Sequence, residues 1–170
     1  MPNRMDSIIS KGTGAVKGVE ARLHGLGGVF KTLSEQHGEV SALLRRVKRD
    51  PAKRAELWPK IRQELVSHEK AELREVYPVL REYDPLRVVA ERHEAEAGQL
   101  SAMVDRIHAT EISTTSWGQM FDELVEMVEQ HVRLEENEIF PRAQEAIGSS
   151  RAKELDARFL TVKKQLAMAL

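Results

Sequence analysis

The stretch His68-Glu69-Lys70-Ala71-Glu72-Leu73-Arg74-Glu75-Val76-Tyr77-Pro78 is written a second time, 63 residues later, as His131-Val132-Arg133-Leu134-Glu135-Glu136-Asn137-Glu138-Ile139-Phe140-Pro141. Both copies place a His, a Glu four residues on, a second Glu at seven, an aromatic at nine and a Pro at ten. On an α-helix, residues four apart lie about 40° apart round the axis and about 6 Å apart along it. An imidazole and a carboxylate at that spacing can therefore address a single ion. Each copy also has a lone partner upstream, His37 before His68 and His93 before His131. One helix giving a His and the next giving His-x3-Glu, done twice, reads as a duplicated helical hairpin.

Outward from those phrases the apolar residues keep steps of three and four, and no stretch alternates as a strand would. Helices are predicted over about 29–48, 53–82, 86–109 and 117–146. Their inward seams hold Phe30, Leu33, His37, Val40 and Leu44; Leu57, Ile61, Leu65, His68, Glu72 and Val76; Leu86, Val89, His93, Leu100 and Met103; and Trp117, Leu124, His131, Glu135 and Ile139. Asp50-Pro51 stops the first helix, Pro78 is expected to bend the last turns of the second, and Tyr83-Asp84-Pro85 and the polar run 110–116 supply the next connections. The expected fold is all-α, an up-down-up-down four-helix bundle over 29–148. Residues 1–28 hold six of the ten glycines and read as an arm or a weakened extension of the first helix. Leu155, Phe159, Val162 and Leu166 mark an extra C-terminal helix, 149–170, expected to pack on the bundle or on a second copy of the chain in a homodimer.

Composition removes several function classes. The 170 residues carry 26 basic and 27 acidic side chains, a balance that offers no bulk basicity for nucleic acid. There is no cysteine, which excludes disulfides, iron–sulfur clusters and thiolate zinc sites together. No apolar run of about 18 residues and no charged-apolar-small leader is present, so a soluble cytoplasmic protein without a membrane span is expected.

His37, His68, Glu72, His93, His131 and Glu135 all fall on inward faces. Burying that many imidazoles and carboxylates costs several kcal/mol per uncompensated charge, and a pair of divalent cations would compensate all of them. Imidazole mixed with carboxylate suits iron, manganese or zinc, and carboxylates able to bridge favour two ions over one. Structural zinc takes four ligands, often thiolates, and fits less well. Ferritin-like bundles order the pair as Glu-x-x-His, the reverse of this chain.

The order His, His-x3-Glu, His, His-x3-Glu, with an aromatic-Pro after each pair, resembles the hemerythrin-like, or HHE cation-binding, domain over roughly residues 30–147. The resemblance implies a bundle around an oxo- or hydroxo-bridged pair of irons that meets dioxygen, nitric oxide or peroxide. It makes Glu72 and Glu135 the bridging carboxylates and the four His terminal ligands. Oxygen carriers of this family have a further His four residues after the third-helix His, where this chain has Ala97. Glu69, Glu96, water or His24 is left to complete the set, and Glu69, beside His68, is favoured. Glu136, five after His131, competes with Glu135, which the internal repeat prefers. Tyr77 and Phe140 are expected to plug the bundle end beside the prolines. A lost imidazole and a more carboxylate-rich centre point to sensing or detoxifying an oxidant rather than carrying it. Enzymatic consumption of peroxide or nitric oxide, iron storage or sensing, and a metal-stabilised interaction module are the alternatives.

Overall fold

A computed structural model describes residues 25–170 of the chain. The sequence expectations for the arm up to residue 24, including His24, lie outside the described residues. Among the described residues every element is helical: α1 (Gly28–Arg49), α2 (Arg54–Glu75), the short α3 (Tyr77–Leu80), α4 (Asp84–His108), α5 (Thr115–Leu134) and α6 (Phe140–Met168). The four long helices that carry the repeated phrases and their lone histidines form an all-α bundle, as the periodicity requires.

Local chemistry sets the boundaries. Asp50 ends α1 and accepts from the Ala52 amide at 3.3 Å, and Pro51 opens a single 3₁₀ turn before α2. Thr114 Oγ1 accepts the Trp117 amide at 3.2 Å and so caps α5. Pro85 sits in the first turn of α4, where its missing N–H costs nothing. The second predicted helix is interrupted: α2 stops at Glu75, and α3 resumes after Val76. Pro78 has no amide to give the Arg74 carbonyl, and its ring crowds that oxygen.

The matching proline of the second phrase has a different outcome. Ahead of Pro141 the chain stays helical but widens into a π-helical turn, Glu135–Ile139, closed by the Phe140 amide on the Glu135 carbonyl. A wider turn makes room for the proline ring and inserts one residue into the register. The chain then bends at Gly148 (φ 75°, ψ 168°), a backbone that residues with a Cβ adopt only under strain. Beyond the bend, the C-terminal part of α6 packs on α1 and α2 and buries Ala152, Leu155, Phe159 and Val162.

Two apolar clusters fill the interior. One gathers Val29, Phe30 and Leu33 with Tyr77, Leu80, Phe140 and the C-terminal Leu155 and Phe159. The other gathers Val40, Leu44, Leu57, Ile61, Leu65, Leu100 and Val104 round a Trp58–Trp117–Phe121 stack. In each long helix the buried His falls in the chain between residues of the two clusters: Leu33-His37-Val40, Leu65-His68-Ala71, Ala90-His93-Leu100 and Val128-His131-Ile139. The polar residues thus form one layer across the bundle between two apolar blocks.

Candidate metal centre

All seven side chains singled out in the sequence, His37, His68, Glu69, Glu72, His93, His131 and Glu135, are buried in that layer. Donor atoms of Glu69, Glu72, His93 and His131 all lie within 4.8 Å of one another. His37 and His68 stand beside them, their ring centroids 5.0 Å apart, and His93 and His131 form a matching pair at 4.6 Å.

The two carboxylates that are four after a His join the pairs. Glu135 Oε2 is 3.2 Å from His37 Nε2 and 3.3 Å from His131 Nε2, while its Oε1 is 3.4 Å from His93 Nδ1. Glu72 Oε2 is 3.3 Å from His68 Nε2, and its carboxylate also belongs to the cluster with His93 and His131. Glu135 thus touches both imidazole pairs, and Glu72 touches His68 and lies within 4.8 Å of the other pair's donors. Glu69, which sequence alone leaves between ligand and surface charge, turns inward with Oε1 3.1 Å from His131 Nε2.

The donor set fits a metal. His37 Nε2, His68 Nε2, His131 Nε2, both nitrogens of His93, both oxygens of Glu72, Glu69 Oε2 and Glu135 Oε2 are buried without a hydrogen-bond partner. Such atoms cost about 1–3 kcal/mol each when nothing satisfies them, and their lone pairs converge on one another. Cations placed among them supply what is missing.

Neighbours fix several ligand orientations. His37 Nδ1 lies 3.1 Å from Glu136 Oε1, which also accepts from Ser34 Oγ at 3.0 Å. His68 Nδ1 lies 3.0 Å from Gln36 Oε1. With Nδ1–H donating outward, each Nε2 lone pair points at the centre. The π turn separates the two competing glutamates: Glu135 is fully buried among the imidazoles, and Glu136 backs His37 from outside.

Sequence reasoning missed Tyr77. Expected as a plug, it is buried in the apolar cluster, but its hydroxyl also donates to Glu135 Oε1 at 2.7 Å. Its ring stacks on His93 with centroids 3.8 Å apart. The signal was the one difference at the aromatic position of the repeat, a Tyr where the other copy has Phe140. Gln36 and Ser34 carried no such signal. Glu96 pairs with Arg92 at the surface and stands apart from the cluster, and Glu75 is held by Arg158 of α6 at 2.7 Å.

Electrostatics in the metal-free protein pull the two linking carboxylates apart. Burial, then the Glu135 and Glu69 charges, push Glu72 well above the usual carboxylate range. Burial acts on Glu135 in the same sense, but His131 and His93 outweigh it and hold it well below that range. Burial lowers His131, yet Glu135 and Glu69 together push it up to about 12. His37 is raised against its burial by Glu135 and Glu136. His68 and His93 are lowered by burial.

Comparison with known proteins agrees with this geometry. The family model described as the hemerythrin HHE cation binding domain matches residues 28–143. The chain belongs to the hemerythrin HHE family. No curated protein and no solved structure gave a match. The stretch matched to the HHE domain contains all seven buried donors and both proline turns, and ends before the Gly148 bend. Among the described residues no helix is long and apolar enough to cross a membrane.

Proposed function

We propose that this HHE protein holds two irons and binds, senses or detoxifies a small oxidant, dioxygen, nitric oxide or peroxide. The observation that carries the reading is the placement of Glu135 against both imidazole pairs and of Glu72 between them, beside His68 and within 4.8 Å of the His93 and His131 donors. Carboxylates in that position suit two ions sharing bridging ligands better than one ion with four. His37 and His68 would hold one ion, His93, His131 and Glu69 the other. When bound, such a pair supplies electrons and open coordination positions to a small oxidant.

The chain's own residues do the rest. Gln36 and Glu136 keep His68 and His37 in the tautomer that ligates, and Tyr77 holds Glu135 Oε1 so that Oε2 faces His37 and His131. A cavity of about 10 Å³ lies against His37, His68 and His131, walled by Val40, Leu65, Leu100 and Val128. That is at the lower limit of room for one water molecule, so a diatomic or a peroxide enters only if these side chains give way. Aliphatic walls exclude bulk water from that face of the centre. Glu69 in the place of a further imidazole makes the second ion's surroundings more anionic, which favours the oxidised metal and so turnover or signalling over reversible carriage.

Metal analysis of the protein as purified, with an absorption spectrum of the oxidised form, tests the reading. Two irons per chain with the near-ultraviolet bands of a bridged ferric pair are expected, and a His68→Ala variant should lose them. One zinc per chain would overturn the proposal. Oxygen evolved from added peroxide then separates turnover from binding, and unchanged release of dioxygen over many cycles would contradict the preference against carriage.

A further inference from the structure

A hydrated dication has to reach donors enclosed on every side, and the three approaches to them differ in chemistry. On the His68 side the C-terminal part of α6 closes the bundle, with the Phe159 ring edge-on to His68 at 5.8 Å. Arg158 of that helix holds Glu75 through two nitrogens and Lys163 holds Glu64, so the carboxylates on that side are already taken. Between α2 and α4 a cleft of about 230 Å³ reaches Glu69; much of its wall is Val66, Leu73, Ala97 and Val104, Lys70 lies beside them, and the cleft's outer carboxylate, Glu94, is held by two hydrogen bonds from Arg81. An ion entering there meets a lysine and an already engaged carboxylate among mostly apolar walls, which return little for its water.

The third approach is a groove of about 280 Å³ between α4 and α5, lined by Arg92, Glu96, Gln99, Gln130 and His131 among others. It carries a carboxylate and two side-chain amides at the surface and ends on His131. That ring is 7% exposed and belongs to the central cluster, and its Nε2 has no hydrogen-bond partner. Oxygen acceptors followed by an imidazole are the sequence of ligands that lets an ion shed water in steps. At the mouth, Arg92 Nε holds Glu96 Oε1 at 2.8 Å, with Arg92 71% and Glu96 29% exposed. An exposed ion pair at four-residue spacing is weakly held, so an arriving dication can displace the guanidinium.

Resting on the reading of the centre as a metal site, we infer that the α4–α5 groove is its loading port. Glu96 captures the cation at the mouth, Arg92 is the counter-ion it displaces, and His131 takes it up as the ring gives its proton to solvent. The inference assigns opposite effects to two neighbouring surface residues, which a purely structural ion pair would not have.

Uptake of Co²⁺ by the metal-stripped full-length chain, followed by the visible absorption of the bound ion in a stopped-flow instrument, tests it. Glu96→Gln should slow the second-order uptake on the order of fivefold, and Arg92→Gln should accelerate it about twofold, with the final Co²⁺ stoichiometry unchanged in both. The difference between wild type and Glu96→Gln should shrink as ionic strength rises from about 0.01 to 0.15 M. Gly98→Leu, which narrows the α2–α4 cleft instead, should load at the wild-type rate. Equal rates for wild type, Glu96→Gln and Arg92→Gln, or slow loading confined to Gly98→Leu, would overturn the port while leaving the metal site standing. A wild-type chain that takes up no Co²⁺ would remove both.

Discussion

Glu135 and Glu136 are neighbours in the chain and have separate tasks, the first among the imidazoles and the second behind His37. Replacing Glu135 by Ala should therefore lower the metal bound by about one ion per chain. Glu136→Gln should keep both ions but weaken binding about 10–100-fold, the usual cost of losing the partner that orients a ligand. Metal titration of the two variants side by side separates these outcomes, and equal losses would mean that both glutamates ligate. Tyr77→Phe keeps the ring on His93 and removes one hydrogen bond to a buried carboxylate, so the metal-free protein should lose about 2 kcal/mol in urea unfolding. An unchanged midpoint would show that Glu135 finds another donor. The histidines and the Glu residues four beyond them were legible because each pair shares one helix face. The orienting groups were not, because Gln36 and Ser34 reach the site from a helix whose rotation only the packed bundle fixes.

At the scale of the element, four helices were readable from apolar spacing, and the proline effects only in part. Pro78 and Pro141 impose the same loss of an amide and the same crowding, yet one breaks the helix at Val76 and the other opens the π turn Glu135–Ile139. Which relief is chosen depends on where the chain must go beyond the proline: into a connection to α4 in one case, along a helix that continues to Ile147 in the other. Sequence also left the partner of the C-terminal helix undecided between this chain and a second copy. Its inward residues Leu155 and Phe159 share a cluster with Val29, Phe30 and Leu33 of α1. At their junction Gly28 has φ 53°, and a Cβ there would stand 2.4 Å from the Ala152 carbonyl carbon and oxygen. Gly28→Ala should then cost about 2–4 kcal/mol, from overpacking against backbone together with a strained φ. Urea unfolding of the metal-stripped variant measures it, and a cost below about 0.5 kcal/mol would show that the contact opens freely.

For the whole molecule, the polar layer means that metal and protons compete for the same buried atoms, and the signs can be worked out group by group. With His131 raised to about 12 in the metal-free fold against 6.5 when unfolded, its stabilisation is complete below pH 6.5 and drains away as pH rises. That slope is about 1 kcal/mol per pH unit from this group alone. His37, also raised, slopes the same way, as does Glu72 while it keeps its proton in the fold and not in the unfolded chain. Lowered His68 and His93 cost stability only below pH 6.5, and lowered Glu135 stabilises above about 4.5, so neither opposes the decline at higher pH. Metal binding has the opposite dependence, because the ions require neutral imidazoles and an ionised Glu72, and each proton removed beforehand strengthens the complex. The gap in melting temperature between loaded and stripped protein should accordingly widen steadily from pH 6.5 to about 8, the stripped form falling while the loaded form holds. Calorimetry on matched samples reads both curves, and a gap that stays constant or narrows across that range would mean that the layer is held together by protons rather than prepared for cations.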